Sequence, residues 1–293
     1  MINRPAAYPN WYPHKTEEIK KYFVKVPWGR NRPQKSPPLV FCIAPHAGWI
    51  YSGQVAGSVY SELKSVDTAV FVATNHTGLG APSSLFSQGT WTTPLGSVSI
   101  DERCAQKLLQ ICPVLQPDLE AHRYEHAIEV QIPFLQVLNP QLQIVPIEMR
   151  DYTLTTCRKI AGSILTAIEH SLQKDPARKF AVIASTDFTH CGALYGQIPP
   201  RGMTPGAFAK SQDQMAIDRI LSLDGAGLLK TVQKNGITMC GSGPATVVLE
   251  CARQQGGMIA RLLNYRTSAD VAGETSQIAV GYAGIFMGPG KEL

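Results

Sequence analysis

The chain of 293 residues lacks the features that mark several large classes of protein. Its seven cysteines include no CxxC pair, which argues against a zinc knuckle and against a disulfide framework. No run of roughly 18 apolar residues occurs, and the amino terminus has no apolar core of a signal peptide. We therefore expect a soluble protein of the reducing cytoplasm, without a membrane partner.

The sequence also has no large excess of positive or negative charge. The formal net charge is only +5, charged residues make up 17% of the chain, and no block of Lys and Arg could follow a phosphate backbone. We therefore expect no nucleic-acid partner. The HExxH, P-loop, GxGxxG and nucleophile-elbow patterns are absent as well, so none of these common catalytic or nucleotide-binding signatures applies.

What the sequence does contain is a series of buried strands that end in polar junctions. The junctions are His46 after a strand at 39–43, His76 after a strand at 68–74, and Asp187 with His190 after a strand at 180–184. Helical spacing of apolar residues between the first two strands predicts a βαβ unit with parallel strands. Since the carboxyl ends of parallel strands meet at one edge, where open α/β sheets place ligands, the histidines should converge there. The prediction is an α/β fold with a mostly parallel central sheet flanked by helices.

The remaining segments fit a single domain over residues 1–293, with residues 1–38 packed on it as an extension and a proline-rich connector. Apolar spacing and capping residues predict further helices at 16–24, 102–111, 154–172, 215–223, 224–236 and 245–254. Additional strands are predicted within 81–100 and at 143–147, 259–265 and 278–286. The Gly- and Pro-rich stretch 193–206 is predicted to be a loop, either a lid or a mobile connection.

A second polar cluster consists of Glu125, His126 and Glu129, at the start of a helix predicted over about 125–135. Residues four apart share a helix face, so the two glutamates should point the same way. Pro133 should kink this helix or lie near its start. The cluster either supports a site from behind or forms a solvated first turn, and the spacing alone does not decide between them.

Cys240 directly precedes a Gly-rich helix start, where a thiol is more exposed than the predicted core thiols Cys104 and Cys251. Two imidazoles and one anionic ligand can hold a metal ion and leave positions open for substrate or oxygen. A carboxylate as third ligand would give the facial triad of non-haem iron, whereas Cys240 would suit copper(I) or zinc as well. Asp187 and His190 would then handle protons, with the aspartate fixing the histidine tautomer.

Seven motifs, spread over nearly the whole chain, carry a resemblance to a known family. They are Ala7 to Pro13 with Trp11-Tyr-Pro, Ile43-Ala-Pro-His-Ala-Gly48 with Tyr51-Ser-Gly53, Asn75-His-Thr-Gly78, Glu125-His-Ala-Ile-Glu-Val-Gln-Ile-Pro-Phe-Leu135, Ser185-Thr-Asp-Phe-Thr-His190, Cys240-Gly-Ser-Gly-Pro244 and Val280-Gly-Tyr282. In these motifs and their order the sequence resembles the Memo family (mediator of cell motility and its bacterial and archaeal relatives). The resemblance implies a single α/β domain like that of the class III extradiol dioxygenases, which are non-haem iron enzymes.

The resemblance also implies roles for individual residues. His46 and His76 match the two histidine ligands of a metal, and Cys240 matches the cysteine that replaces the dioxygenases' glutamate. Asp187 and His190 match further pocket residues and are assigned catalytic roles, with His190 where the dioxygenases keep an acid–base histidine. The residues assigned to substrate binding, or to support behind the ligands, are Trp11, Glu125, His126 and Glu129.

Two positions depart from the family pattern, and three functions stay open. Thr189 stands where many members have serine, and Ser242 replaces a larger basic residue, which should change what the pocket mouth accepts. The first function is a metal-dependent oxidoreductase acting on an unknown small substrate, with Fe(II) as the first choice of divalent metal and copper or zinc as alternatives. The second is a non-catalytic protein that uses the same pocket to bind metal or a peptide, and the third is a zinc-dependent hydrolase.

Overall fold

The computed structural model describes residues 2–23, 37–273 and 276–290, and ten α-helices and twelve β-strands lie within these ranges. The strands are β1 Asn3–Arg4, β2 Leu39–Ala44, β3 Thr68–Thr74, β4 Ser83–Leu85, β5 Thr90–Thr93, β6 Gly96–Ile100, β7 Gln116–Pro117, β8 Gln143–Met149, β9 Phe180–Ser185, β10 His190–Cys191, β11 Met258–Thr267 and β12 Ala279–Pro289. The helices are α1 Thr16–Lys20, α2 Trp49–Tyr60, α3 Glu102–Ile111, α4 Glu120–Arg123, α5 Ile132–Leu138, α6 Leu154–Lys174, α7 Pro205–Leu221, α8 Gly225–Asn235, α9 Ser242–Gln255 and α10 Ala269–Ala272. None of the helices in the described ranges combines the length and the apolar character that crossing a membrane requires.

A mixed sheet with a parallel centre organises the molecule. Its strand order is β1-β5-β6-β8-β3-β9-β2-β12-β10, with β11 paired to β12 and β4 paired to β8. The central strands β8, β3, β9 and β2 are all parallel, and β12 adds to β2 in the antiparallel direction. The predicted α/β fold with a mostly parallel sheet is therefore confirmed.

Helices cover both faces of this sheet. Every residue of β2, β3 and β9 is buried, which is the pattern of strands with packing on each side. Helix α9 packs against β9, β3 and β2 and is itself covered by α6, while α2 packs against β2 and β12. The indole of Trp49 in α2 stacks on Phe134 of α5 at 3.8 Å, which joins α5 to the core.

The histidine-bearing strands β2 and β3 are parallel, as predicted, but they are not neighbours. Strand β9 lies between them and pairs with both, so that Ser185 is opposite Ala44 on one side and Ala73 on the other. The connection through α2 therefore skips one strand position. The consequence is that the junctions after β2 and β3 flank the junction that carries Asp187.

The helix predicted over about 125–135 is wrong in its first half. Residues 125–128 are not helical, a single 3-10 turn spans Glu129–Gln131, and α5 begins only at Ile132 with Pro133 in its first turn. The reason is that the Glu125 carboxylate accepts the backbone N–H groups of the next two residues and so competes with the helical pattern. Glu125 and Glu129 therefore do not share a helix face, and neither is solvated, since both are buried.

Two other helix boundaries differ from the sequence predictions. Helix α7 starts at Pro205 rather than near Met215, because the Thr204 hydroxyl caps it and proline suits the first turn. The loop predicted at 193–206 is shortened accordingly and contains a 3-10 turn at Ala193–Tyr195. Helix α1 ends at Lys20, and the rest of the predicted segment beyond 23, with the connector up to 36, lies outside the described residues.

Candidate metal centre

Three possible ligand atoms meet at the carboxyl edge of the parallel strands. His46 follows β2, His76 follows β3, and Cys240 lies just before α9. Their ligand atoms all lie within 4.8 Å of one another, and the Nε2 atom of His46 is 3.4 Å from the Cys240 sulfur. Cys240 is also the one partly exposed cysteine of the described residues, where the other six are buried. The structure therefore brings together the three residues predicted as metal ligands.

The orientation of His46 is set by a chain of hydrogen bonds. The Ser185 hydroxyl donates to the Ala127 carbonyl at 2.6 Å, so it accepts from Nδ1 of His46 at 3.1 Å. The Gln131 amide adds a bond to the same hydroxyl at 2.8 Å. His46 therefore keeps its proton on Nδ1 and presents the Nε2 lone pair to Cys240. Burial lowers the pKa of His46, with His126 and His76 acting in the same direction.

His76 is held in the same way by a carboxylate. Its Nδ1 is 3.0 Å from one oxygen of Glu125, and its backbone N–H donates to the other at 2.6 Å. The Nδ1 proton is thereby fixed and Nε2 is left to face Cys240, while 32% of the side chain is exposed. Burial opposes protonation, but hydrogen bonds and charge from Cys240 and Glu125 outweigh it and raise the pKa of His76 to about 11.

His126 belongs to the same group of rings. Its Nδ1 is 3.0 Å from the Glu125 oxygen that also contacts His76, and the two imidazoles stack at 4.8 Å. Glu125, His76 and His126 could by composition form a second ligand group. The Glu125 carboxylate, however, already accepts both imidazoles and three backbone N–H groups. Burial raises the pKa of Glu125, but the imidazoles outweigh burial and hold that pKa well below its usual range, so this carboxylate orients the rings.

The sulfur and the backbone of Cys240 are separately anchored. The backbone N–H of Asp187 donates to Sγ at 3.3 Å. The Cys240 carbonyl accepts the hydroxyls of Thr74 and Tyr152, both at 2.8 Å. These bonds tie the start of α9 to the end of β3 and aim the sulfur at His46.

Asp187 and His190 lie close to this group without forming the predicted hydrogen-bonded pair. The Asp187 carboxylate accepts the backbone N–H of His46 at 2.8 Å. His190 directs Nδ1 to the Thr238 carbonyl at 3.0 Å, so a carbonyl, not the aspartate, fixes its tautomer. Nε2 of His190 is left for a proton at the cavity. Burial raises the pKa of Asp187, although His190 lowers it.

Glu129 holds the amino-terminal segment rather than facing the cavity. Its carboxylate accepts the guanidinium of Arg4 at 2.8 Å, the backbone N–H groups of Ala7 and Tyr8, and the hydroxyl of Tyr12. Arg4 was not a candidate from the sequence, because nothing near it in the chain points to Glu129. The segment carries Trp11, whose ring lies 4.9 Å from His126.

A cavity of about 830 Å³ opens in front of these groups. Its wall is aromatic and aliphatic, and the described residues that line it include no Lys or Arg. Residues that line it include Trp11, Ile50, Tyr51, Tyr195, Ile278 and Tyr282. Sequence reasoning did not assign the tyrosines to the site, because they come from α2, a 3-10 turn and β12, and only the fold unites them.

These features define an α/β protein with two oriented imidazoles and a thiol at the carboxyl edge of its sheet. The family model described as Memo-like protein matches residues 4–286. The chain is 37% identical to a MEMO1 family protein of Methanopyrus kandleri, over 97% of this chain and 98% of that protein. It is 36% identical to MEMO1 family proteins of Archaeoglobus fulgidus and of Sulfurisphaera tokodaii, over 97% and 98% of this chain and 98% and 100% of those proteins. The chain therefore belongs to the Memo family.

Proposed function

We propose that His46, His76 and Cys240 hold a divalent metal ion and that the protein uses it for redox chemistry on a small organic molecule. One observation carries the proposal. Both imidazoles have their Nδ1 proton bonded to a buried acceptor, Ser185 for His46 and Glu125 for His76, and so place their Nε2 atoms beside the Cys240 sulfur. Fixing the ring by an outer acceptor is the usual arrangement behind a metal-bound histidine.

The donor chemistry narrows the choice of ion. Imidazole nitrogen and thiolate suit transition metals, whereas calcium and magnesium prefer oxygen ligands. Two histidines and one anionic residue with open positions favour iron(II), and the softer sulfur makes copper and zinc the alternatives. A bound iron or copper would supply a Lewis acid and a centre for electron transfer.

The chain's own residues would bind and orient the substrate. Trp11, Tyr51 and Tyr195 give the cavity an aromatic wall that suits a small organic molecule or a peptide side chain. Nε2 of His190 can hold or release a proton at the cavity, since Nδ1 is bonded to Thr238. Asp187 holds the His46 backbone and so keeps that imidazole in place.

The test is the metal content of protein purified without oxygen. We expect a stoichiometric transition metal in the parent protein and its loss in His46→Ala. His170→Ala, which changes a histidine of α6 outside the cavity, is the matched control and should keep the metal. Unchanged metal content in His46→Ala would contradict the proposal.

A second function is favoured by the breadth of the cavity, which at about 830 Å³ can also receive part of a peptide. Metal-loaded protein that consumes no oxygen with phenols or thiols would support a non-catalytic metal-binding or peptide-binding role. Zinc in the purified protein, together with cleavage of ester or peptide substrates, would support a hydrolase. The cytoplasmic location stays a prediction that cell fractionation can test.

A further inference from the structure

A second cavity, of about 550 Å³, lies at the opposite edge of the sheet between α3 and the carboxyl end of α6. Arg178 marks its position, because its guanidinium donates to Thr68 and Gln143, the first residues of β3 and β8. We call this cavity the amino-edge groove. In the part of the chain that the structure describes, it shares no lining residue with the cavity of the candidate metal centre.

The amino-edge groove carries an excess of positive charge. Arg178 is neutralised by Asp101 at 2.7 Å. Arg103, Lys107 and Lys174 line the groove without an ion-pair partner among the described residues. Among the described residues of the lining, the one acid is Asp175, and its carboxylate accepts the backbone N–H of Ala177.

The cations lie on two helices that pack against each other. Arg103 and Lys107 are four residues apart on α3, and Lys174 lies in the last turn of α6. Like charges at this spacing repel each other on a helix. Lys174 suits the carboxyl end of α6, but Arg103 lies in the first turn of α3, where the helix dipole disfavours a cation. The arrangement costs the free protein stability, and an anion in the groove would remove that cost.

We propose that the amino-edge groove binds the phosphate groups of a small molecule that carries at least two of them. Arg and Lys side chains are the usual hydrogen-bond donors to phosphate, and cations from two helices can contact successive phosphates. The volume is in the range of small-molecule sites. No Phe, Tyr or Trp lines the groove within the described residues, so it lacks the large stacking platforms that single-stranded nucleic acids use. The groove therefore recognises the phosphate chain and not a base.

The proposal is tested by calorimetric titration of the full chain at low ionic strength with pyrophosphate and ATP. We expect both to bind, and the double variant Arg103→Gln/Lys107→Gln to bind each roughly tenfold more weakly or worse, because it loses charge-assisted hydrogen bonds. Lys230→Gln/Lys234→Gln is the matched control. It removes two exposed cations at the same spacing on α8 without changing the groove and should keep the parent affinity.

Several outcomes would overturn the proposal. Absence of binding to the parent protein would do so, and so would equal weakening in the control, which would indicate non-specific attraction. Tighter binding of a single-stranded RNA oligonucleotide than of ATP would assign the groove to nucleic acid instead. If the double variant does not fold, Lys174→Gln alone should still weaken ATP binding several-fold.

Discussion

The two edges of the central sheet differ in whether their charged side chains have partners within the chain. At the carboxyl edge two buried acids find partners within the chain: Glu125 contacts two imidazoles and Glu129 contacts Arg4. At the amino edge, the cations that α3 and α6 present to the groove have no acidic partner among the described residues. One set of charges is compensated inside the protein and the other is left for a ligand.

This difference in charge pairing indicates a different role for each edge. Pairing of charges within the chain fixes the imidazole rings and the backbone at the carboxyl edge. The protein itself therefore sets the geometry of a site that needs accurate placement. Uncompensated cations lower stability slightly but keep a surface ready for an anion. The comparison predicts that neutral substitutions in the compensated pairs of the carboxyl edge cost stability or metal affinity, whereas those at the amino edge do not.

The largest effect is expected for Arg4→Met. The change leaves the fully buried Glu129 carboxylate without its cation and also removes the guanidinium that lies over the Trp91 ring at 4.1 Å. Breaking a buried ion pair from one side typically costs about 3–5 kcal/mol. Urea denaturation measures the loss. Lys20→Met, which breaks an exposed pair with Glu17, should cost under about 1 kcal/mol, and equal losses in the two variants would refute the comparison.

Asp213, a buried acid whose hydrogen-bond donors are uncharged, gives a second test of how the carboxyl edge depends on charge pairing. Asp213 accepts the Thr189 N–H and the Tyr265 hydroxyl, and burial raises its pKa to about 6 although these bonds act against the rise. The stability that its protonated form contributes is fully present below the unfolded pKa of 3.8 and is lost as the pH rises through about 6.

Asp213→Asn removes this titration. Between about pH 4 and about pH 7 the variant should gain about 3 kcal/mol relative to the parent, from a pKa difference of about two units. The measurement is the free energy of unfolding of both proteins across that range. A difference that stays constant with pH would mean that Asp213 does not titrate as its burial predicts.

A smaller effect, on metal affinity rather than on stability, is expected for Glu125→Gln. The amide cannot accept both imidazole N–H groups with a full negative charge, so the rings of His76 and His126 lose their common anchor. Outer acceptors of this kind are worth about 10–100-fold in metal affinity. Competition with a chelator measures the change, and Glu120→Gln on the exposed face of α4 should leave the affinity unaltered. Full affinity in Glu125→Gln would show that the carboxylate does not orient the ligands.

The smallest effect is expected at the amino edge. Lys107→Gln relieves the repulsion with Arg103, so the free energy of unfolding should rise by about 0.2–0.5 kcal/mol at low salt. The gain should fade as salt screens the charges. Thermal denaturation at two salt concentrations measures it. Destabilisation instead would mean that the chain compensates these cations after all.

The carboxyl edge could be predicted from sequence to a large extent. Parallel strands place their ends together, so His46, His76 and Cys240 could be grouped before any coordinates existed. The resemblance to the Memo family made the same grouping, and the fold and the family are confirmed. The metal, the reaction and the roles of Asp187 and His190 stay predictions.

What the sequence could not reveal depends on contacts between distant segments. The spacing of Glu125 and Glu129 favoured a common helix face, but hydrogen bonds from the Glu125 carboxylate to its own backbone replaced that helix. The partner of Glu129 is separated from it by 125 residues. The amino-edge groove likewise arises only when α3 and α6 pack together, because neither helix alone shows an unusual run of charge.

The place of β9 between β2 and β3 has a consequence for how the protein is made. Synthesis from the amino end releases both histidine-bearing strands before the strand that joins them, and His46 precedes Cys240 by 194 residues. Until β9 emerges from the ribosome, β2 and β3 each lack a neighbour and expose edges that can mispair. Cys240 is synthesised after β9, so a nascent chain that ends before it can offer the proposed ion both imidazoles but not this sulfur.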